Sequence, residues 1–132
     1  MKMNGDDLGK LVLRLTLGVL LLLHGVAKVL NPAMIGGIGG MLAAKGLPES
    51  VAYGVFIGEL LAPLLMIPGI FTRVAGLLTA GNMVFAIFLA HSHQLFMLTK
   101  NGGWQLELQG FYLFSGLALM LLGSGRIAVR PD

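Results

Sequence analysis

Six ionisable side chains lie inside stretches of this sequence that are otherwise apolar: Arg14, His24, Lys28, Glu59, His91 and Glu107. A charged group in hydrocarbon costs about 2.5–3.5 kcal/mol on insertion scales, so each charge asks for a partner or a task. Together they form an acid–base set. Imidazoles exchange protons near neutral pH, carboxylates take and release them, and an ammonium or guanidinium stabilises negative charge on oxygen. Two carboxylates against two fixed cations also let the internal charge cancel. His24 and Lys28 stand four apart and share one face of a helix. His91 and His93 stand two apart and cannot, which puts one of them in a loop.

Four apolar stretches must position these groups, since a spanning helix needs about 20 largely apolar residues. They cover residues 11–30, with Arg14, His24 and Lys28; 51–70, with Glu59 near the middle and Pro63 and Pro68 later; 74–90, with Asn82; and 106–122, with Glu107 at the start. Only Phe71-Thr72-Arg73 joins the second to the third, so those two form an antiparallel hairpin. Residues 34–42 are apolar and Gly-rich but too short to span, which suits an interfacial or short re-entrant helix. The connection 91–105 reads as polar and closes on Trp104, a residue of the headgroup belt. The first stretch exceeds the roughly 7–15-residue core of a signal peptide and no A-x-A site follows it, so it is expected to stay as a span. The expectation is an all-α membrane protein, a four-transmembrane-helix bundle in one domain over residues 1–132, with a short interfacial or re-entrant segment after the first helix.

Composition agrees. Hydrophobic residues make up 56% and charged residues 11% of the 132, against about 25% charged in soluble domains. A soluble chain this short could not hide that much apolar surface from water. The 20 glycines would let membrane helices approach closely. Without cysteine there are no disulfides, thiolate nucleophiles, Cys-ligated zinc or iron–sulfur clusters, and no covalently attached haem. No basic run or stacking motif points to nucleic acid, and no metal site is expected.

With an even number of spans both termini share a side, which holds Lys2, Lys10, Arg14, Arg73, Arg126 and Arg130; Lys28, Lys45 and Lys100 fall on the other. The positive-inside rule then makes both termini cytoplasmic. At a rise of about 1.5 Å per residue, Glu59 sits near the midplane and His24 slightly outward. Lys28, His91 and Glu107 lie near the outer interface, with His93 just beyond; Arg14 alone lies in the inner half. A pocket open to the outer face, lined by His24, Lys28, Glu59, His91 and Glu107, follows. Each residue has a structural reading beside this one. Arg14 snorkels inward or bridges to Glu59, Lys28 and His93 are interface residues, and Glu107 is a first-turn carboxylate favoured by the helix dipole. His91 ends a helix, His24 is a satisfied bundle histidine, Glu59 forms a structural ion pair, and Asn82 is interhelical glue.

The order and spacing of several short pieces resemble the DoxX family of small bacterial membrane proteins. They are Arg14-Leu15 with Gly18, His24-Gly25-Val26-Ala27-Lys28, Gly46-Leu47-Pro48, Gly58-Glu59-Leu60-Leu61, Gly69-Ile70-Phe71-Thr72-Arg73, His91, Glu107 with Tyr112, and Leu122-Gly123-Ser124-Gly125-Arg126, where Ser124 stands for the family's usual proline. The resemblance covers nearly the whole chain. It implies a four-helix bundle in the bacterial cytoplasmic (inner) membrane and links to quinone-dependent or other membrane redox systems. Read onto these residues, His24, Glu59 and His91 would be catalytic proton donors and acceptors, and Arg14, Lys28 and Glu107 would bind substrate. A quinone is the one cofactor expected, and the partners are the lipid bilayer, a soluble redox protein and a second copy of the chain. Two other functions fit the same residues: a non-catalytic anchor or scaffold for a partner protein, and a small-molecule or proton-coupled transporter. Haem held by His24 and His91 is weaker, since a two-haem bundle needs four placed histidines and the chain has three.

Overall fold

The computed structural model describes residues 4–132; Lys2, counted above on the cytoplasmic side, lies outside them. The first helix, α1, runs Gly5–Leu30. Asn4 caps it by accepting from the Asp7 N–H at 2.9 Å, and Asp6 and Asp7 sit in the first turn, where the helix dipole favours them. It stops at Asn31, ahead of Pro32. A turn leads to α2, Ala33–Ala44, a helix of 12 residues on the stretch expected to be interfacial or re-entrant. Gly46, at φ 76°, closes α2, and the Lys45 ammonium lies 5.1 Å from the centre of the Phe88 ring, tying the end of α2 to the helix that carries Phe88.

Helix α3, Glu49–Met66, is irregular. It opens with a 3-10 turn, Glu49–Gly54, widens into a π-turn at Ile57–Leu61, and becomes regular only from Ala62. Pro63 accounts for the π-turn. It has no N–H for the carbonyl of Glu59 four residues back, and the ladder shifts so that the Ala62 N–H bonds the Ile57 carbonyl instead. After Pro68, a tight turn places Gly69 at φ 83° and Phe71 at φ 49°, and α4 follows as Thr72–Gln94. This is the short hairpin the sequence demands. Helix α4 has a π-turn of its own at Ile87–His91 and a final 3-10 turn, Ser92–Gln94.

The connection to α5 differs from the polar loop expected. Leu95, Phe96, Met97 and Leu98 are all exposed, and the chain folds back as a small hairpin in which Thr99 N–H bonds the Gly103 carbonyl at 2.6 Å and the Trp104 indole donates to the Leu95 carbonyl at 2.9 Å. Helix α5, Glu107–Leu122, packs against α4 where Gly76 meets Gly116 backbone to backbone.

Among the described residues, three helices are long and apolar enough to cross a membrane: α1, α3 and α4. The fourth expected span, α5, has 16 residues, about 24 Å, short of a hydrocarbon core of about 30 Å. The bundle interior holds Leu17, Leu21, Met66, Met83, Tyr112 and Leu119, and a second cluster under α2 joins Ile35 and Leu42 to Ala52 and Leu89. The outside is studded with exposed Leu, Val and Phe, as a lipid-facing surface requires.

The chain past α5 folds back across one end of the bundle. Arg14, 2% exposed, donates to the carbonyls of Ser124 at 2.7 Å and Ile127 at 2.8 Å. Val129 and Arg130 N–H groups bond the Pro68 and Gly69 carbonyls. Arg73 donates to the Met120 and Leu121 carbonyls at the end of α5 and to Asp132, and buried Asp7 accepts from the Arg126 N–H at 3.1 Å.

Candidate functional site

At the opposite end from the tail, α1, α3, α4 and α5 surround a chamber of about 250 Å³, over which α2 lays Ile38 and Met41. Its walls are mostly apolar, and the polar groups entering it come from four helices: His24 and Lys28, Glu59, Asn82 and His91, Gln109 and Tyr112. In its wall the Lys28 ammonium donates to Glu59 Oε1 at 2.6 Å, with 13% and 6% of the two side chains exposed. A pair this dry holds only with good geometry, because each ion has lost most of its hydration.

Backbone features aim these groups. On α1, Leu21, His24 and Lys28 share one face, the i, i+3, i+7 relation that the spacing predicts. The Glu59 carbonyl released by Pro63 points at Gly25, and a methyl group there would collide with it, so α1 and α3 meet at van der Waals distance beside the ion pair. Gly58 likewise lies flat against the Asn82 side chain. Both π-turns contribute: Glu59 sits in that of α3 and His91 in that of α4. A π-turn inserts one residue into a helix and re-aims its neighbours, and such turns gather at functional sites.

The His24 ring stands edge-on to Tyr112, centres 5.9 Å apart and planes at 83°. His91 Nδ1 lies 2.8 Å from Gln94 Oε1. In the neutral tautomer that donates from Nδ1 to this oxygen, Nε2 is the acceptor. The set thus combines a cation, a carboxylate, two imidazoles and a phenol around an apolar volume the size of one small ring. Among the described residues, no three His, Asp or Glu side chains are grouped to hold a metal ion.

Four of the six residues singled out in the sequence therefore meet in the chamber: His24, Lys28, Glu59 and His91. The other two do not. Arg14 lies ten residues before His24 on α1, about 15 Å away along the axis, and holds the tail rather than Glu59. Glu107 is exposed on the first turn of α5 beside the lateral groove between α1 and α5. His93 is exposed, one turn past the π-turn that seats His91. Tyr112 and Gln109 were not anticipated as wall residues; they share a face with Leu108, whereas Glu107 lies about 140° round the helix from Tyr112.

The DoxX family model matches residues 9–92, a stretch that takes in α1 to α4 and every chamber residue except those on α5. The chain belongs to the DoxX family. Within its DoxX region stand the Lys28–Glu59 pair, His24 and His91. Two relatives cover almost the whole chain. An uncharacterized protein of Haemophilus influenzae is 34% identical over 122 residues, 89% of this chain and 84% of that one. A Bacillus subtilis protein named "Putative oxidoreductase CatD" is 30% identical over 125 residues, 95% of this chain and 87% of that one. No solved structure matches the chain.

Proposed function

We propose that this DoxX protein is the membrane subunit of a redox system and that its chamber takes a quinone-like ring. The observation that carries the reading is the chamber itself: apolar walls around a Lys28–Glu59 pair, two histidines and a tyrosine. A quinone ring needs a donor to each carbonyl oxygen and a proton source or sink as it is reduced or reoxidised. Lys28 and the Tyr112 hydroxyl would donate, and Glu59 and the His91 imidazole would take up or release protons. His24 would close the ring in at the rim. A volume of about 250 Å³ suits one ring, below the 300–1,000 Å³ or so of sites for larger ligands. The name of the Bacillus subtilis relative supports an oxidoreductase setting. If a quinone binds, it supplies the electron-accepting chemistry. With no thiol and no grouped metal ligands among the described residues, the electrons come from a soluble partner.

The same proposal places the chain in the bacterial inner membrane as a single domain, with α5 as a fourth, shorter crossing against α4 and both termini cytoplasmic. The anchor reading draws on one observation of its own: Lys28 and Glu59 satisfy each other without any ligand. The two separate on ring binding. Protein purified with native lipid is expected to carry a quinone detectable by mass spectrometry, and Glu59→Gln and His24→Ala are expected to lose it at least tenfold while keeping wild-type helicity. Equal retention in both variants would overturn the site, and a wild-type protein that neither carries nor binds a quinone would leave the anchor.

A further inference from the structure

Lys28 belongs to two cavities. On one side it lines the chamber together with Glu59. On the other it lines a cleft of about 630 Å³ at the end of the bundle where α1 gives way to α2 and α3 begins. Glu59 is in the wall of the first and not of the second. The cleft is built differently from the chamber. It is bordered by Glu49, Ser50 and Tyr53 from the 3-10 turn of α3, by the apolar Val29, Ile35 and Phe56, and by Gly36 and Gly39 in the first seven residues of α2, where the lack of side chains leaves it wide. Glu49, Ser50 and Tyr53 are all exposed. The cleft is thus the more polar and the more open of the two, the chamber the more apolar, and one ammonium group stands between them.

We infer that the cleft is a water-filled inlet and that Lys28 is the proton gate between it and the chamber, a role that rests on the ring-binding reading above. A ring that gains or loses electrons in an apolar chamber must exchange protons with water, and most of the chamber wall is hydrocarbon. The route available runs through the pair. Lys28 Nζ passes a proton to Glu59 Oε1, 2.6 Å away, and the ion pair becomes an amine beside a carboxylic acid. A proton from water in the cleft then restores the ammonium. The net result is one proton moved from the aqueous side to Glu59, with no electron transferred; release runs the same steps backward. The ionisable groups lining the two cavities beside the pair are His24 on α1, His91 on α4 and Tyr112 on α5 from the chamber side, and Glu49 and Tyr53 on α3 from the cleft side. Glu49 supplies negative charge at the mouth, which draws cations and hydronium toward Lys28. The ring and its proton then enter by separate doors, one through apolar walls and one through the 3-10 turn.

The chain has no cysteine, so single cysteines report local access without background. The probe is a lipid-impermeant cationic methanethiosulfonate, applied to the protein in vesicles with the cleft side outward. Ser50→Cys and the double variant Lys28→Cys/Glu59→Gln, which leaves no unpaired carboxylate, are expected to react within tenfold of each other. Leu23→Cys, on the outward face of α1 where Leu23 is 62% exposed and would face lipid, is expected to react at least a hundredfold more slowly. Glu59→Cys should react slowly with Lys28 in place and at least tenfold faster with Lys28→Ala added. Slow reaction at Ser50→Cys would show the cleft to be dry, and slow reaction at Lys28→Cys/Glu59→Gln would show that water stops short of the gate; either overturns the inference. None of these rates needs a bound quinone, so loss of the ring-binding reading would leave the access pattern standing, and the reverse.

Discussion

Lys28 and Glu59 are each other's main polar contact, and that mutual dependence sets the cost of touching either. Removing one member of a buried pair leaves the other charge stranded in low dielectric, at a cost of about 3–5 kcal/mol, whereas replacing both with apolar groups of similar size is near neutral or stabilising. Lys28→Ala is therefore expected to lower stability in detergent by about that much, and Lys28→Met/Glu59→Leu to recover most of it. Unfolding by denaturant in mild detergent measures both, and an equal loss in the single and double variants would mean the pair is not the source. The charges in the apolar runs are plain in the sequence, and the four-residue step from His24 to Lys28 places both on one face correctly. Two residues escape that reading for physical reasons. Arg14 bonds backbone carbonyls more than a hundred positions downstream, which no side-chain pattern announces. Tyr112 sits in an apolar helix where its ring reads as hydrophobic body and its hydroxyl goes unnoticed.

Helices meet here through glycine, and the glycines differ in what they allow. A methyl group at Gly25 would run into the Glu59 carbonyl and the Leu60 side chain, while one at Gly81 on α4 would meet nothing within 4 Å. Gly25→Ala is expected to push α1 off α3, cost about 1–3 kcal/mol, and abolish ring binding by opening the chamber. Gly81→Ala should leave binding unchanged and gain up to about 1 kcal/mol from helix propensity. Thermal unfolding and ring titration of the two variants give the contrast; equal behaviour would remove close packing at Gly25 as the cause. At this scale apolar runs mark the helices well. The hairpin of α3 and α4 follows from a three-residue connection, and residues 34–42 prove helical. Helix bounds and interior geometry are less legible. Pro63, four residues past Glu59, does signal a disturbed ladder, but nothing in Ile87-Phe88-Leu89-Ala90-His91 announces a second π-turn. Leu95-Phe96-Met97-Leu98 are apolar residues that a reading drawn to His91, His93 and Lys100 passes over.

The molecule has two unlike ends. One is closed by the returning tail and gathers Lys10, Arg14, Arg73, Arg126 and Arg130; the other carries the chamber and cleft, with Lys28, Lys45 and Lys100. Five basic residues against three among the described positions favour a cytoplasmic tail. A fluorescent protein fused after Asp132 is expected to fluoresce and an alkaline phosphatase at the same position to be inactive; the opposite result would turn the cleft toward the cytoplasm. The all-helical, lipid-facing character of the whole is legible from composition. The crossing count is not, because α5 falls at the lower limit of span length, where packing against α4 rather than hydropathy decides where it lies.

The two π-turns give the chamber its shape. Each is a helix with one residue too many, and striking out that residue would rewind the turn to ordinary pitch and swing everything on one side of it by about 100°. Glu59 and His91 would then face elsewhere, and the buried faces on that side of each turn would move with them. The chamber and the packing of α3 and α4 thus depend on the same two turns.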